Sequence, residues 1–142
     1  MRFLIRIFLV LVLTTSVAMP AAAEDSSLDK FAALAAAEQL LLLLDRGELQ
    51  KSWESTSKLF KKVAIKLQWE ERIGHLRDQY GAFRDRQLRY SKAMQNVEGA
   101  PAGEYYFLIY GSSFANKESV IETITLMKES DGLWRVSGYT LE

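Results

Sequence analysis

Glu122 is the residue whose setting most invites chemistry. It stands in a C-terminal stretch rich in β-branched and apolar residues, where alternate side chains turn to opposite faces of a strand. The provisional strand register sets it opposite Gly111, which has no side chain to fill the space. A carboxylate there needs a donor or a cation, because its ionised form is otherwise costly to bury. Arg77, Arg86 and Arg135 are the candidate cations, and Tyr105 and Tyr139 the candidate hydroxyl donors. Two roles fit this set: an ion pair that closes the helices onto the sheet, or a polar group that orients a ligand in a pocket. A lone carboxylate is not an acid–base pair, so no catalytic residue is assigned.

The remaining reactive residue types narrow the chemistry further. His75 is the single histidine and the chain has no cysteine, which closes the routes to a histidine-rich metal site, to thiol chemistry and to disulfides. His75 reads as a helix-flank residue beside Leu76. No glycine-rich phosphate loop or nucleophile elbow is present, and no cofactor is called for. Arg84, Arg86 and Arg89, with Asp85 among them, fit a sheet edge on which charge discourages strand pairing.

The elements that must position these residues begin after an export-type leader. Arg2 and Arg6 precede an apolar run, Ile7 to Leu13, and Ala21, Ala22 and Ala23 precede acidic Glu24 and Asp25. This is the order of a cleavable signal peptide spanning residues 1–23. The apolar run is shorter than the roughly 20 residues that span a bilayer. Cleavage after Ala23 gives a periplasmic or secreted single domain, residues 24–142, with no integral membrane segment. The leader carries two of the 18 basic residues and none of the 18 acidic ones, so the domain has a formal net charge of −2. Such a balance offers no general attraction to nucleic acid or anionic lipid.

Helices come first. Ser26 and Ser27 are candidate caps for a helix running to Asp45 and Arg46, with Gly47 as its stop. Its five consecutive leucines, Leu40 to Leu44, sweep the whole circumference and predict a central helix enclosed on nearly all sides. Leu49, Trp53, Thr56, Phe60 and Val63 form a second apolar stripe. Trp69, Ile73, Leu76 and Tyr80 form a third that ends at Gly81. Residues 48–80 fit either two helices or three.

Strands follow, at about 82–95, 104–115, 118–129 and 133–141, as one curved antiparallel sheet. A two-residue type I′ turn at Asp131-Gly132 pairs Glu129 with Trp134, Met127 with Val136 and Ile124 with Tyr139. A turn at Asn116-Lys117 pairs Leu108 with Thr125 and Phe107 with Leu126. One face then carries Tyr106, Leu108, Tyr110, Met127, Trp134 and Val136. The other carries Tyr105, Phe107, Ile109, Glu122, Ile124, Leu126 and Tyr139. Three helices cover one face, so curvature, a loop or a second subunit must close part of the other.

Several short blocks lie along the chain in fixed order: Ser52-Trp53-Glu54, Trp69 followed by Arg77 and Gly81, Pro101 to Tyr105, Phe114 to Lys117, Glu122-Thr123, and Gly132 to Tyr139. In these blocks the chain resembles the small exported bacterial proteins of domain-of-unknown-function family 4019. That resemblance brings no assigned activity. The layout is also similar to the cystatin-like and nuclear transport factor two-like cone folds, from which it departs in lacking a hairpin between the early helices. Those folds host ligand binders, enzymes and scaffolds alike.

The predicted fold class is therefore α+β: N-terminal helices packed on a curved four-stranded antiparallel sheet, cystatin-like or cone-shaped. The leading functional reading is a non-enzymatic binding or interaction module, in which the sheet takes a small apolar ligand or forms a homodimer. The alternatives are a small enzyme with an acid–base site at Glu122 and a structural subunit of an envelope assembly.

Overall fold

The computed structural model describes the backbone of residues 21–142 and the side chains from Ser27 onward. Residues 1–20, most of the expected leader, lie outside the described residues, and the expected cleavage point after Ala23 falls in the first turn of the first helix. Helix α1 (Ala21–Asp45) is followed by α2 (Leu49–Glu54), α3 (Lys58–Val63) and α4 (Lys66–Tyr80). Strands β1 (Phe83–Gln95), β2 (Glu104–Phe114), β3 (Lys117–Lys128) and β4 (Trp134–Leu141) form one antiparallel sheet in the order β1-β2-β3-β4. The fold is α+β, with the helices on one face of the meander.

The helix α1 buries Ala33, Ala37, Leu40, Leu41 and Leu44, a single stripe at spacings of four and three; the helix packs mainly on β4, then on α2 and less on β3. Leu42 remains 48% exposed. The leucine run is thus not enclosed on all sides: the helix lies on a sheet, which covers one face of a cylinder. Ser26 and Ser27 are not caps, because the backbone is already helical from Ala21. Gly47 does end the helix, with a φ of 71° and its N–H donating to the Leu44 carbonyl.

Residues 48–80 form three helices. Between α2 and α3 the chain leaves helical geometry to bridge the edge of β4, where Thr56 pairs with Val136 and the Ser57 N–H donates to the Val136 carbonyl at 2.8 Å. Ser57 then caps α3, accepting from the Phe60 N–H at 3.0 Å. This detour resets the helical phase, so Val63 falls off the expected apolar stripe and is 75% exposed. At the end of α4, Gly81 takes a φ of 78°. A Cβ there would lie 2.9 Å from the Asn116 side chain, so the β2–β3 turn seats directly on the α4–β1 junction.

The sheet register differs from the predicted one at both hairpins. The β3–β4 connection has three residues, Ser130 to Gly132, with Gly132 at a φ of 80° and Glu129 paired with Leu133. Lys128 therefore meets Trp134 and Leu126 meets Val136. A bulge between Thr125 and Leu126 then restores the expected pairing of Ile124 with Tyr139. The β2–β3 turn is Ala115-Asn116, neither residue having a positive φ, and an irregularity between Ser112 and Phe114 sets Tyr110 opposite Glu122. Leu108 thus pairs with Ile124, Phe107 with Thr125, and Gly111 with Ile121.

One slipped residue moves all of β3 to the opposite face. Glu122, Ile124 and Leu126 join Tyr106, Leu108 and Tyr110 beneath the helices, while Phe107, Ile109 and Met127 lie half-buried on the outer face. Tyr105, also on that outer face, is closed off by the 96–103 loop: its hydroxyl donates to the Pro101 carbonyl at 2.6 Å.

Candidate functional site

Glu122 is fully buried, and each of its oxygens accepts two hydrogen bonds. Oε1 takes the Ser112 hydroxyl at 2.5 Å and Arg86 Nε at 2.7 Å. Oε2 takes the Tyr139 hydroxyl at 2.6 Å and Arg77 Nη2 at 3.3 Å. The two guanidinium groups also grip Asp45. Arg77 Nη1 donates to Oδ1 at 2.7 Å, and Arg86 donates through Nη1 to Oδ2 at 2.7 Å and through Nη2 to Oδ1 at 2.9 Å. The paired Nη contacts of Arg86 make a bidentate fork, the strong form of this interaction.

Two cations and two anions cancel, so the centre is buried without net charge. Its six members come from six elements: Asp45 ends α1, Arg77 lies in the last turn of α4, and Arg86, Ser112, Glu122 and Tyr139 stand on β1, β2, β3 and β4. Two aromatic rings shield it. The Arg77 guanidinium lies 4.9 Å from the Phe114 ring centre, and that of Arg86 lies 4.4 Å from Phe83. Although burial works against its charge, the Asp45 hydrogen bond and the Glu122 carboxylate hold Arg86 protonated more firmly than usual.

Burial, and then the Glu122 charge, push the Tyr139 hydroxyl far above the ordinary phenol range; burial, and then the charge of Glu38, push Tyr110 up to about 12. Both phenols keep their protons in the fold at a pH where the unfolded chain ionises, near about 10. Stability linked to them is therefore complete below about pH 10 and is lost as pH climbs toward the folded values. Denaturant midpoints measured between about pH 9 and about pH 11 are expected to fall, and Tyr139→Phe to flatten that decline. A midpoint unchanged across the interval contradicts this linkage.

The sequence candidates divide cleanly. Arg77, Arg86 and Tyr139 meet Glu122, whereas Tyr105 does not, because it projects from the other face of the sheet. Arg135 instead pairs with Glu129 at 2.6 Å and with Asp131 across the β3–β4 turn, the outcome of the three-residue connection. Of the arginine run, Arg86 points inward from the edge strand and Arg84 and Arg89 remain exposed. His75 is exposed on α4, with Nε2 3.1 Å from the Gln79 amide. Asp45 and Ser112 were not singled out from sequence. The signal for Asp45 was available: an acidic residue at a helix C-terminus opposes the helix dipole and needs cations nearby.

Two open hollows flank this centre, and Glu122 lines neither. The larger, of about 900 Å³, lies between α3, α4 and the end of β4. Phe60, Ile65, Trp69, Ile73, Leu76 and Leu141 give it mainly apolar walls. Trp69 is fixed by its indole N–H, which donates to Ser52 Oγ at 3.1 Å. Trp53, Phe60, Trp69 and Tyr139 form a train of rings with centre separations of 5.7, 5.2 and 6.0 Å, running from α2 to the hydroxyl that meets Glu122. Among the described residues, no group of three or more His, Asp or Glu could hold a metal ion, and no helix is long and apolar enough to cross a membrane.

Together these features define a small α+β domain whose sheet is fastened to its helices through a largely buried centre of two ion-paired arginines. Residues 36–139 match DUF4019, a family of proteins of unknown function, and the chain belongs to that family. The matched span runs from α1 to Tyr139 and encloses all six members of the centre. No curated protein and no solved structure matches the chain.

Proposed function

We propose that the protein is a non-enzymatic binding module of the cell envelope, which takes an apolar ligand in the cleft between α3, α4 and β4. The single observation that carries this reading is the 900 Å³ hollow walled by Phe60, Trp69, Ile73 and Leu76. That volume falls within the range of small-molecule sites, roughly 300–1,000 Å³. Val63 and Ile65 at its margin are 75% and 58% exposed, apolar surface that a bound ligand would cover. The N-terminal order of Arg2, Arg6, apolar run and Ala21 to Ala23 supports the envelope location.

An acid–base role for Glu122 has less support. A general acid or base must reach its substrate within hydrogen-bonding distance, and both Glu122 oxygens are already occupied by four donors. The outer sheet face is also a weaker candidate for a homodimer, since Tyr105 is covered by a loop and Phe107, Ile109 and Met127 are half-buried.

The neutral fluorescent probe N-phenyl-1-naphthylamine tests the cleft. Titration is expected to give a saturable rise in emission. Val63→Asp together with Ile65→Asp should weaken binding about tenfold or more, with the thermal midpoint little changed because both positions are exposed. Undiminished binding by that double variant rules the cleft out.

A further inference from the structure

The second hollow, of about 310 Å³, lies between α1 and edge strand β1, away from the cleft just described. Glu38, Leu41, Leu42 and Asp45 line it from α1 at spacings of three and four, one continuous stripe of the helix. Arg86 and Leu88 of β1 and Tyr110 of β2 supply the opposite wall. Leu42 and Leu88 are 48% and 40% exposed, so the apolar sides of this groove are left open by the fold itself.

Tyr110 is the unusual member. Its side chain is 5% exposed, yet its hydroxyl has no hydrogen-bond partner among the described residues. A buried phenol normally finds one. The other two charges that line the groove are paired: Asp45 is saturated by Arg77 and Arg86, and Arg86 by Asp45 and Glu122. Glu38 is the exception. It is exposed, no cation pairs with it among the described residues, and its charge acts on the Tyr110 hydroxyl. The groove therefore joins two leucine walls, the mutually neutralised pair Asp45 and Arg86, one uncompensated carboxylate and one orphaned hydroxyl oxygen able to accept.

We infer that this groove is a binding site for a small organic amine, whose ammonium donates to Glu38 and to the Tyr110 hydroxyl while its apolar body lies between Leu42 and Leu88. A primary ammonium has three donors and no acceptor, which matches a carboxylate and a phenol oxygen presented together. An anion would meet Glu38 as a like charge, and an uncharged analogue would forgo that attraction.

Amide chemical-shift titration with benzylamine, benzyl alcohol and benzoate tests the assignment. Benzylamine is expected to give saturable shifts in residues 38–45, 86–88 and 110 in the low millimolar range, with benzyl alcohol about tenfold weaker and benzoate without effect. Glu38→Gln and Tyr110→Phe should each weaken benzylamine about fivefold to tenfold. Tyr110→Phe also separates binding from structure: deleting an unpartnered hydroxyl should leave the thermal midpoint unchanged or raised, whereas a structural role lowers it. The proposal is overturned by equal response to all three compounds, by undiminished binding in Tyr110→Phe, or by shifts that follow protein rather than amine concentration, which would give the groove to a second copy of the chain. Residues 60–76 are expected to stay unshifted throughout, so the outcome is independent of the apolar cleft.

Discussion

Glu122→Ala is expected to cost about 3–5 kcal/mol of folding stability, because it strands two arginines in a buried centre with only Asp45 to balance them. It also removes the acceptor for the Ser112 and Tyr139 hydroxyls, which are buried with it. A domain of this size has roughly 5–15 kcal/mol in total, so the variant should be marginally folded at best. Glu122→Leu combined with Arg86→Met removes one cation with one anion and leaves Asp45 paired with Arg77. That double variant should be far less damaged than Glu122→Ala, the non-additive outcome expected of neighbours in one network. Urea denaturation of the three proteins checks the ordering, and a Glu122→Ala loss below about 1 kcal/mol would mean that the centre contributes little.

Phe114→Ala should match that loss by a different route. Phe114 is fully buried between the rings of Tyr80 and Phe83, at 5.8 and 6.0 Å, and beneath the Arg77 guanidinium. Truncation opens a cavity worth about 3–5 kcal/mol and admits water to one side of the ion-pair centre. Phe114→Leu keeps most of the volume and should lose less than half as much. Unfolding followed by tryptophan emission reads both, and equal effects of Ala and Leu would show that shielding by the ring, rather than volume, governs the site.

Much of this arrangement was legible in the residues. The change from helical spacing to dense β-branched and aromatic residues after Gly81 located the boundary between layers. The need of an inward carboxylate for partners picked out Arg77, Arg86 and Tyr139. The pairing of Ile124 with Tyr139 was correctly read for an incomplete reason: a three-residue turn and a later bulge offset one another.

What could not be read rests on the same small irregularities. Asp-Gly fits a two-residue turn and a three-residue turn equally well, and the backbone choice shifts Trp134 and Val136 by one partner. The irregularity near Ser112 leaves no mark in residue type, yet it decides whether Glu122 faces Tyr105 or Tyr110. The leucine run misled because circumferential coverage in sequence does not require circumferential burial. Leu42 stays open beside β1, and that opening forms one wall of the amine groove.

On the proposed function, the ligand enters the cleft between α3, α4 and β4, and not the buried carboxylate centre or the outer sheet. Amide shift mapping with N-phenyl-1-naphthylamine measures this most directly. Binding in the cleft should move residues 60–76 and 139–142 while leaving those of the outer face, such as Phe107, Ile109 and Met127, in place. Shifts confined to that outer face, or no saturable shift at any position, would contradict it.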